Sequence, residues 1–215
     1  MLVSVSTMPA KDEYFEYVKQ IEHVADFLHL DVCDGKYNQT NCFSPEYAKK
    51  LNMNTTLPLD CHLMTKNPLE HAKEYIKAGV NIVTAQIEAF ENQKQIDEFI
   101  NYVKSNNALV GLSVEPETSF KELMPYVDKL DVILIMAVKT GKSGQEFDMS
   151  VLKKITHFSN LKKEKKYTYK LEVDGGINLD FAKLVGSFGA EIIVSGNYVF
   201  SAADKEKTIK NLKLI

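Results

Sequence analysis

The sequence predicts a (β/α)₈ barrel, a TIM barrel of the α/β class, formed by residues 1–215 as a single domain. Three observations predict it. Eight short apolar runs of β-rich composition recur along the chain. Longer charged stretches with helical spacing separate them. The length, 215 residues, suits one compact barrel. A doubly wound open sheet is the rival, but it usually has fewer strands, and no G-x-G-x-x-G follows the first run.

The strand runs are Leu2–Ser6, Phe27–Val32, Leu59–Met64, Ile82–Ile87, Leu109–Val114, Val132–Val138, Leu171–Val173 and Ile192–Ser195. Between the first two, Lys11–His23 places Tyr14, Phe15, Val18 and Ile21 close to helical spacing. Ser44-Pro45-Glu46 opens a shorter helix. Pro68–Ala78 follows Asn67 as N-cap, has proline at its first position, and meets Gly79 where a terminating glycine belongs. Gln93–Ser105, Ser119–Val127, Met149–Phe158, Leu179–Phe188 and Ala203–Leu212 also read as helices. Lys162 to Lys166 reads as a solvated loop.

Composition excludes several classes of function. Apolar residues are 45% and charged residues 26% of the chain, the balance of a soluble globular protein. The longest apolar run, Val132 to Val138, falls far short of the roughly 20 residues of a membrane span. A net charge of −3 gives no footprint for nucleic acid. All 26 basic residues are lysine, so a bound phosphate must be held by lysine, backbone N–H groups or helix N-termini. The first ten residues lack the features of a signal peptide. The expectation is a cytoplasmic protein with Cys33, Cys42 and Cys61 reduced.

In a barrel the active site lies at the C-terminal ends of the strands. His29 and Asp31 stand two apart on the second strand and face the same way. His62 lies near the end of the third, and Asp174 ends the seventh. Two imidazoles and two carboxylates at one mouth suit a divalent ion: Zn²⁺ or Fe²⁺ first, then Mn²⁺ or Co²⁺. Gly141, Gly144 and Gln145 follow the sixth strand, Gly175 and Gly176 the seventh, and Gly196 and Asn197 the eighth. Such turns let backbone N–H groups reach an anion, and barrels often bind phosphate after strands seven and eight.

The segments HLDVCDG (29–35), PLDCHLM (58–64), DVILIMAV (131–138), LEVDGGI (171–177) and IVSGNYVF (193–200) resemble the ribulose-phosphate 3-epimerase family. The resemblance runs in order over nearly the whole chain. It implies a metal-dependent barrel that inverts C3 of a phosphorylated ketopentose, and a homo-oligomer. It places the metal ligands at His29, Asp31, His62 and Asp174, and the general acid/base pair at Asp31 and Asp174. The substrate-side serine falls on Ser4. Two thioethers over the reaction centre fall on Met64 and Met136, and a third falls on Cys33, where this chain lacks the methionine. His62, Gly141 to Gln145 and the later glycines complete the substrate contacts.

The chemistry fits those positions. Epimerising a carbon beside a carbonyl needs one group to remove a proton and another to return it on the opposite face. A bound cation neutralises the charge of the 2,3-enediolate between them. The departures from the family pattern lie around the substrate. P-S-I-L-x-A-D reads V-S-V-S-T-M-P, Lys36 and Gln86 replace histidines, and Asn197 replaces a small hydroxyl residue. The lid pattern P-G-F-G-G-Q reads T-G-K-S-G-Q, with Lys142 and Ser143 altered. Lys36 and Lys142 either touch the ligand or face solvent. The substrate is most simply D-ribulose 5-phosphate. A related ketose phosphate such as allulose 6-phosphate, and a non-catalytic sugar-phosphate-binding role, stand as alternatives.

Overall fold

The computed structural model describes residues 1–141 and 145–215, and at positions 11 and 12 the backbone alone. Lys142, Ser143 and Gly144 lie outside the described residues. The barrel strands are β1 (Leu2–Ser6), β2 (Phe27–Asp34), β3 (Leu59–Met64), β4 (Ile82–Gln86), β5 (Leu109–Val114), β6 (Val132–Met136), β7 (Lys170–Asp174) and β8 (Ile192–Ser195). Each pairs in parallel with the next. β8 closes on β1, with Leu2 opposite Ile192 and Ser4 opposite Val194. The sheet has no free edge around the ring, which is the closure predicted.

The helices are α1 (Tyr14–Ile21), α2 (Pro45–Asn54), α3 (Pro68–Lys77), α4 (Gln93–Ser105), α5 (Leu152–Lys165), α6 (Leu179–Phe188), α7 (Asn197–Phe200) and α8 (Lys205–Lys213). Among the described residues, no helix is long and apolar enough to cross a membrane.

Strand alternation sorts the side chains into two layers. Outward residues, such as Val3 and Val5, Leu28 and Leu30, Val110 and Leu112, and Ile133 and Ile135, are fully buried under the helices. They belong to one continuous apolar core. The inward set is polar to an unusual degree for a barrel, whose interior is generally filled by branched aliphatics. Ser4, His29, Asp60, His62, Thr84, Gln86, Ser113 and Glu172 are all buried.

The structure corrects several local expectations. Ser119–Val127 is not an α-helix but two 3-10 turns, Phe120–Glu122 and Val127–Lys129. Pro125 between them has no N–H to continue a helical ladder. Lys11–His23 divides into a 3-10 segment, Met8–Glu13, and α1. Lys162–Lys166 is not a loop: it is the last turn of α5, ended by Lys166 at φ 57°. Lysines there complement the negative end of the helix dipole. Asn67 precedes α3 without a capping side-chain bond, because its backbone leaves the extended cap geometry at ψ 74°. A two-residue strand, Asn41–Cys42, runs antiparallel to the end of β2 and had no sequence signal.

Gly79 takes the left-handed conformation expected of it, at φ +97°. A Cβ there would also lie 2.2 Å from the Asn52 amide nitrogen. Gly79→Ala is therefore expected to lower unfolding free energy by about 1–2 kcal/mol, read from urea denaturation midpoints. A neutral result would mean that the turn relaxes out of the left-handed region.

Candidate active site

The site is built from residues two apart on adjacent strands. β2 presents His29, Asp31 and Cys33; β3 presents Asp60, His62 and Met64. The register sets His29 beside Asp60, Asp31 beside His62 and Cys33 beside Met64. β6 and β7 add Met136 beside Asp174. The predicted quartet is thus brought together: His29, Asp31, His62 and Asp174 each offer a ligand atom, all within 4.8 Å of one another.

The orientation of the rings is fixed from behind. His29 Nδ1 lies 2.8 Å from the Asp60 carboxylate, which also accepts a bond from Ser4 Oγ at 2.7 Å. His62 Nε2 lies 3.2 Å from Ser113 Oγ. The opposite nitrogens, His29 Nε2 and His62 Nδ1, are buried without hydrogen-bond partners. They face Asp31 Oδ1 at 3.5 Å and 4.0 Å. Two orphaned imidazole nitrogens aimed at a carboxylate, each ring held at its far nitrogen, form the donor set and outer support of a metal centre. The residues present therefore fit the divalent ion implied by the sequence.

Above the quartet opens a cavity of about 880 Å³. Asp31 and Asp174 are the two carboxylates in its wall among the described residues. Cys33, Met64 and Met136 supply a low-polarity section. Asn38 Nδ2 lies 3.7 Å from both Cys33 Sγ and Met64 Sδ. Gly141 and Gln145 line one side, and Gly175, Gly176, Gly196 and Asn197 another. Gln145 Nε2 donates to the Lys139 carbonyl.

Other predicted positions fall elsewhere. Ser4 is fully buried beneath the quartet and is not in the cavity wall. Ser6 is the β1 serine in that wall, and its hydroxyl donates to Asp31 Oδ2 at 3.0 Å. Lys36 is exposed and contributes nothing to the wall, so its substitution is a surface change. Gln86 is buried in the barrel interior, away from the cavity lining.

Sequence reasoning missed Asp60 and Glu172 as site residues. Each stands two positions before a predicted ligand, on the same strand, and so on the same face. That spacing was the available signal. Asp60, Glu172 and His29 form a second, deeper group of potential ligand atoms within 4.8 Å.

The two cavity carboxylates are pushed in opposite directions. Burial would raise Asp31, but the neighbouring His29 charge, with help from His62 and the Ser6 hydroxyl, holds it below the ordinary carboxylate value. Burial, and then repulsion from Asp31, push Asp174 up to about 7. Burial next to charged His29 pushes His62 down to about 4, so it is a neutral donor at pH 7.

The raised Asp174 value has a signed consequence for stability. In chelated protein the folded state holds that proton between about 4 and 7, where the unfolded state has lost it. Its contribution to stability therefore falls as pH rises through that window. Urea unfolding of wild type and Asp174→Asn in chelator is expected to show that fall in wild type and its absence in the variant. Parallel pH dependences in the two proteins would contradict it.

A profile of the ribulose-phosphate 3 epimerase family matches residues 2–200. The chain is 35% identical to the chloroplastic ribulose-5-phosphate-3-epimerase of Arabidopsis thaliana over 92% of its own length and 70% of the relative's. It is 33% identical to the ribulose-phosphate 3-epimerase of Bacillus subtilis, over 88% of this chain and 86% of that one. Among solved structures, 3-hexulose-6-phosphate synthase from Salmonella typhimurium superposes with a TM-score of 0.71 at 14% identity. That match covers 100% of this chain and 97% of the other, a likeness of fold alone. Barrel, strand-end quartet and sequence agree, and the chain belongs to the ribulose-phosphate 3-epimerase family of sugar isomerases.

Proposed function

We propose that the protein interconverts D-ribulose 5-phosphate and D-xylulose 5-phosphate by two-carboxylate proton transfer at C3. One observation carries this reading: Asp31 and Asp174, the two carboxylates of the cavity wall among the described residues, offer oxygens within 4.8 Å of each other. Asp31, held ionised, is the base in one direction. Asp174, at the end of β7, is the matching acid. The roles exchange in the reverse direction. Removal of the C3 proton leaves a 2,3-enediolate, and return of a proton on the other face completes inversion.

His29, Asp31, His62 and Asp174 would hold one divalent ion, Zn²⁺ or Fe²⁺ first. Bound there, the ion supplies Lewis-acid stabilisation of negative charge on the substrate oxygens. Asp60 and Ser113 keep the two imidazoles turned towards it. Cys33, Met64 and Met136 limit water at the reacting carbon and offer no strong acid that would quench the intermediate. With no arginine in the chain, the phosphate is held by the backbone at Gly175, Gly176, Gly196 and Asn197. A cytoplasmic homo-oligomer accompanies this reading.

Proton NMR in D₂O, with metal-reconstituted protein and a panel of ketose phosphates, tests it. Deuterium is expected at C3 of ribulose 5-phosphate, together with the epimer. Exchange confined to a hexulose phosphate such as allulose 6-phosphate would move the activity to that sugar. No exchange on any sugar, with the ion bound, would leave a sugar-phosphate-binding protein.

A further inference from the structure

We infer that Cys33 and Cys42 form a site of reversible oxidation, at which a peroxide joins the two sulfurs in a disulfide. The inference rests on strand geometry. Asn41–Cys42 runs antiparallel to the end of β2, and Cys42 is the direct partner of Cys33. Direct antiparallel partners hold their Cα atoms about 4.5–5.5 Å apart with side chains on one side. That falls inside the range of about 4.4–6.8 Å that a disulfide spans.

Access and context support the assignment. Both cysteines lie in the cavity wall, where a small soluble oxidant reaches them. Cys42 is the more exposed of the two, and Cys33 is buried. Cys61, the remaining thiol, is fully buried in the core between barrel and helices, with no comparable access. The segment between the paired cysteines is already held. The Asp34 carboxylate accepts from the N–H groups of Lys36 and Tyr37, and Gly35 N–H donates to the Thr40 carbonyl. The cross-link therefore closes a turn that the fold has already formed.

The chemistry balances in two displacements. Cys42 sulfur attacks the peroxide O–O bond; an S–O bond forms, the O–O bond breaks, and the departing oxygen leaves as water or an alcohol. Cys33 sulfur then attacks the sulfenic sulfur; the S–S bond forms and the S–O bond breaks, releasing water. The thiol pair gives up two electrons and the peroxide takes them. A neighbouring thiol captures the sulfenic acid before further oxidation makes it irreversible. Cys33 thus keeps the oxidised sulfur of Cys42 recoverable by thiol reductants.

The test is peptide mass mapping and free-thiol counting on the metal-loaded protein, before and after hydrogen peroxide. Expected are the loss of two hydrogens, a peptide linking Cys33 to Cys42, and a fall from the three free thiols to one. Dithiothreitol should reverse all three. Diamide, an oxidant that transfers no oxygen and needs no metal, should give the same linked peptide. In Cys33→Ser, peroxide should instead leave oxygen on Cys42 that dithiothreitol does not fully remove. Oxygen added to either cysteine of the wild type without a linked peptide would overturn the inference. So would three thiols persisting under both oxidants, or linkage to Cys61 or between chains. The wild-type map decides the matter even if the variant folds poorly.

Discussion

Asp174→Asn and Asp31→Asn are each expected to lower turnover of ribulose 5-phosphate by at least ~10²–10⁴-fold, the range typical of a lost acid or base. The amide keeps the shape of the carboxylate and cannot accept the C3 proton. The two variants should separate in a second measurement. Asp31 sits nearest both orphaned imidazole nitrogens, so its amide should weaken metal binding as well as catalysis. Asp174 offers the fourth ligand atom, so its amide should weaken metal binding too, though less than Asp31→Asn does. Steady-state epimerisation, with solvent-deuterium incorporation at C3 read separately, checks both. Near-normal turnover in either variant would end the two-carboxylate mechanism.

The second large effect is expected behind the site. Asp60→Ala should weaken binding of the divalent ion about 10–100-fold, the usual cost of removing the partner that orients a ligating histidine. Asp60 is almost fully buried, and its carboxylate joins His29 Nδ1 to Ser4 Oγ. Without it, nothing in that chain of bonds selects the tautomer that leaves His29 Nε2 free to ligate. Competition against a chromophoric chelator measures the affinity directly. Excess metal should restore much of the activity, which distinguishes a positioning residue from a proton-transfer residue. Unchanged affinity would show that barrel packing alone orients the ring.

The strands were legible because their outward faces are so regular. Val3 and Val5, or Ile133 and Ile135, alternate with inward residues at the period that a sheet imposes. The quartet was legible for the same reason, since chemistry-bearing residues sat on the inward phase at strand ends. Asp60 and Glu172 escaped notice because carboxylates one layer down look like any charged residue until strand pairing sets them beside His29. Ser119–Val127 had helical spacing, yet Pro125 divides it into turns. The pairing of Asn41 and Cys42 with β2 had no local pattern at all. It follows from the Asp34-Gly35 turn and from tertiary ties such as Thr40 Oγ1 to the Gly141 carbonyl.

The seam between β1 and β8 also sets the timetable of folding. Leu2 bonds into a strand that begins 190 residues later. At synthesis rates of about 5–20 residues per second, the first strand waits roughly 10–40 s for that partner. Throughout that interval Val3 and Val5 border an unpaired edge, the kind of surface that recruits other chains. Emergence of Ile192–Ser195 from the ribosome is therefore the step that ends the nascent chain's exposure to aggregation. Truncation just before it should leave a chain that depends on chaperones.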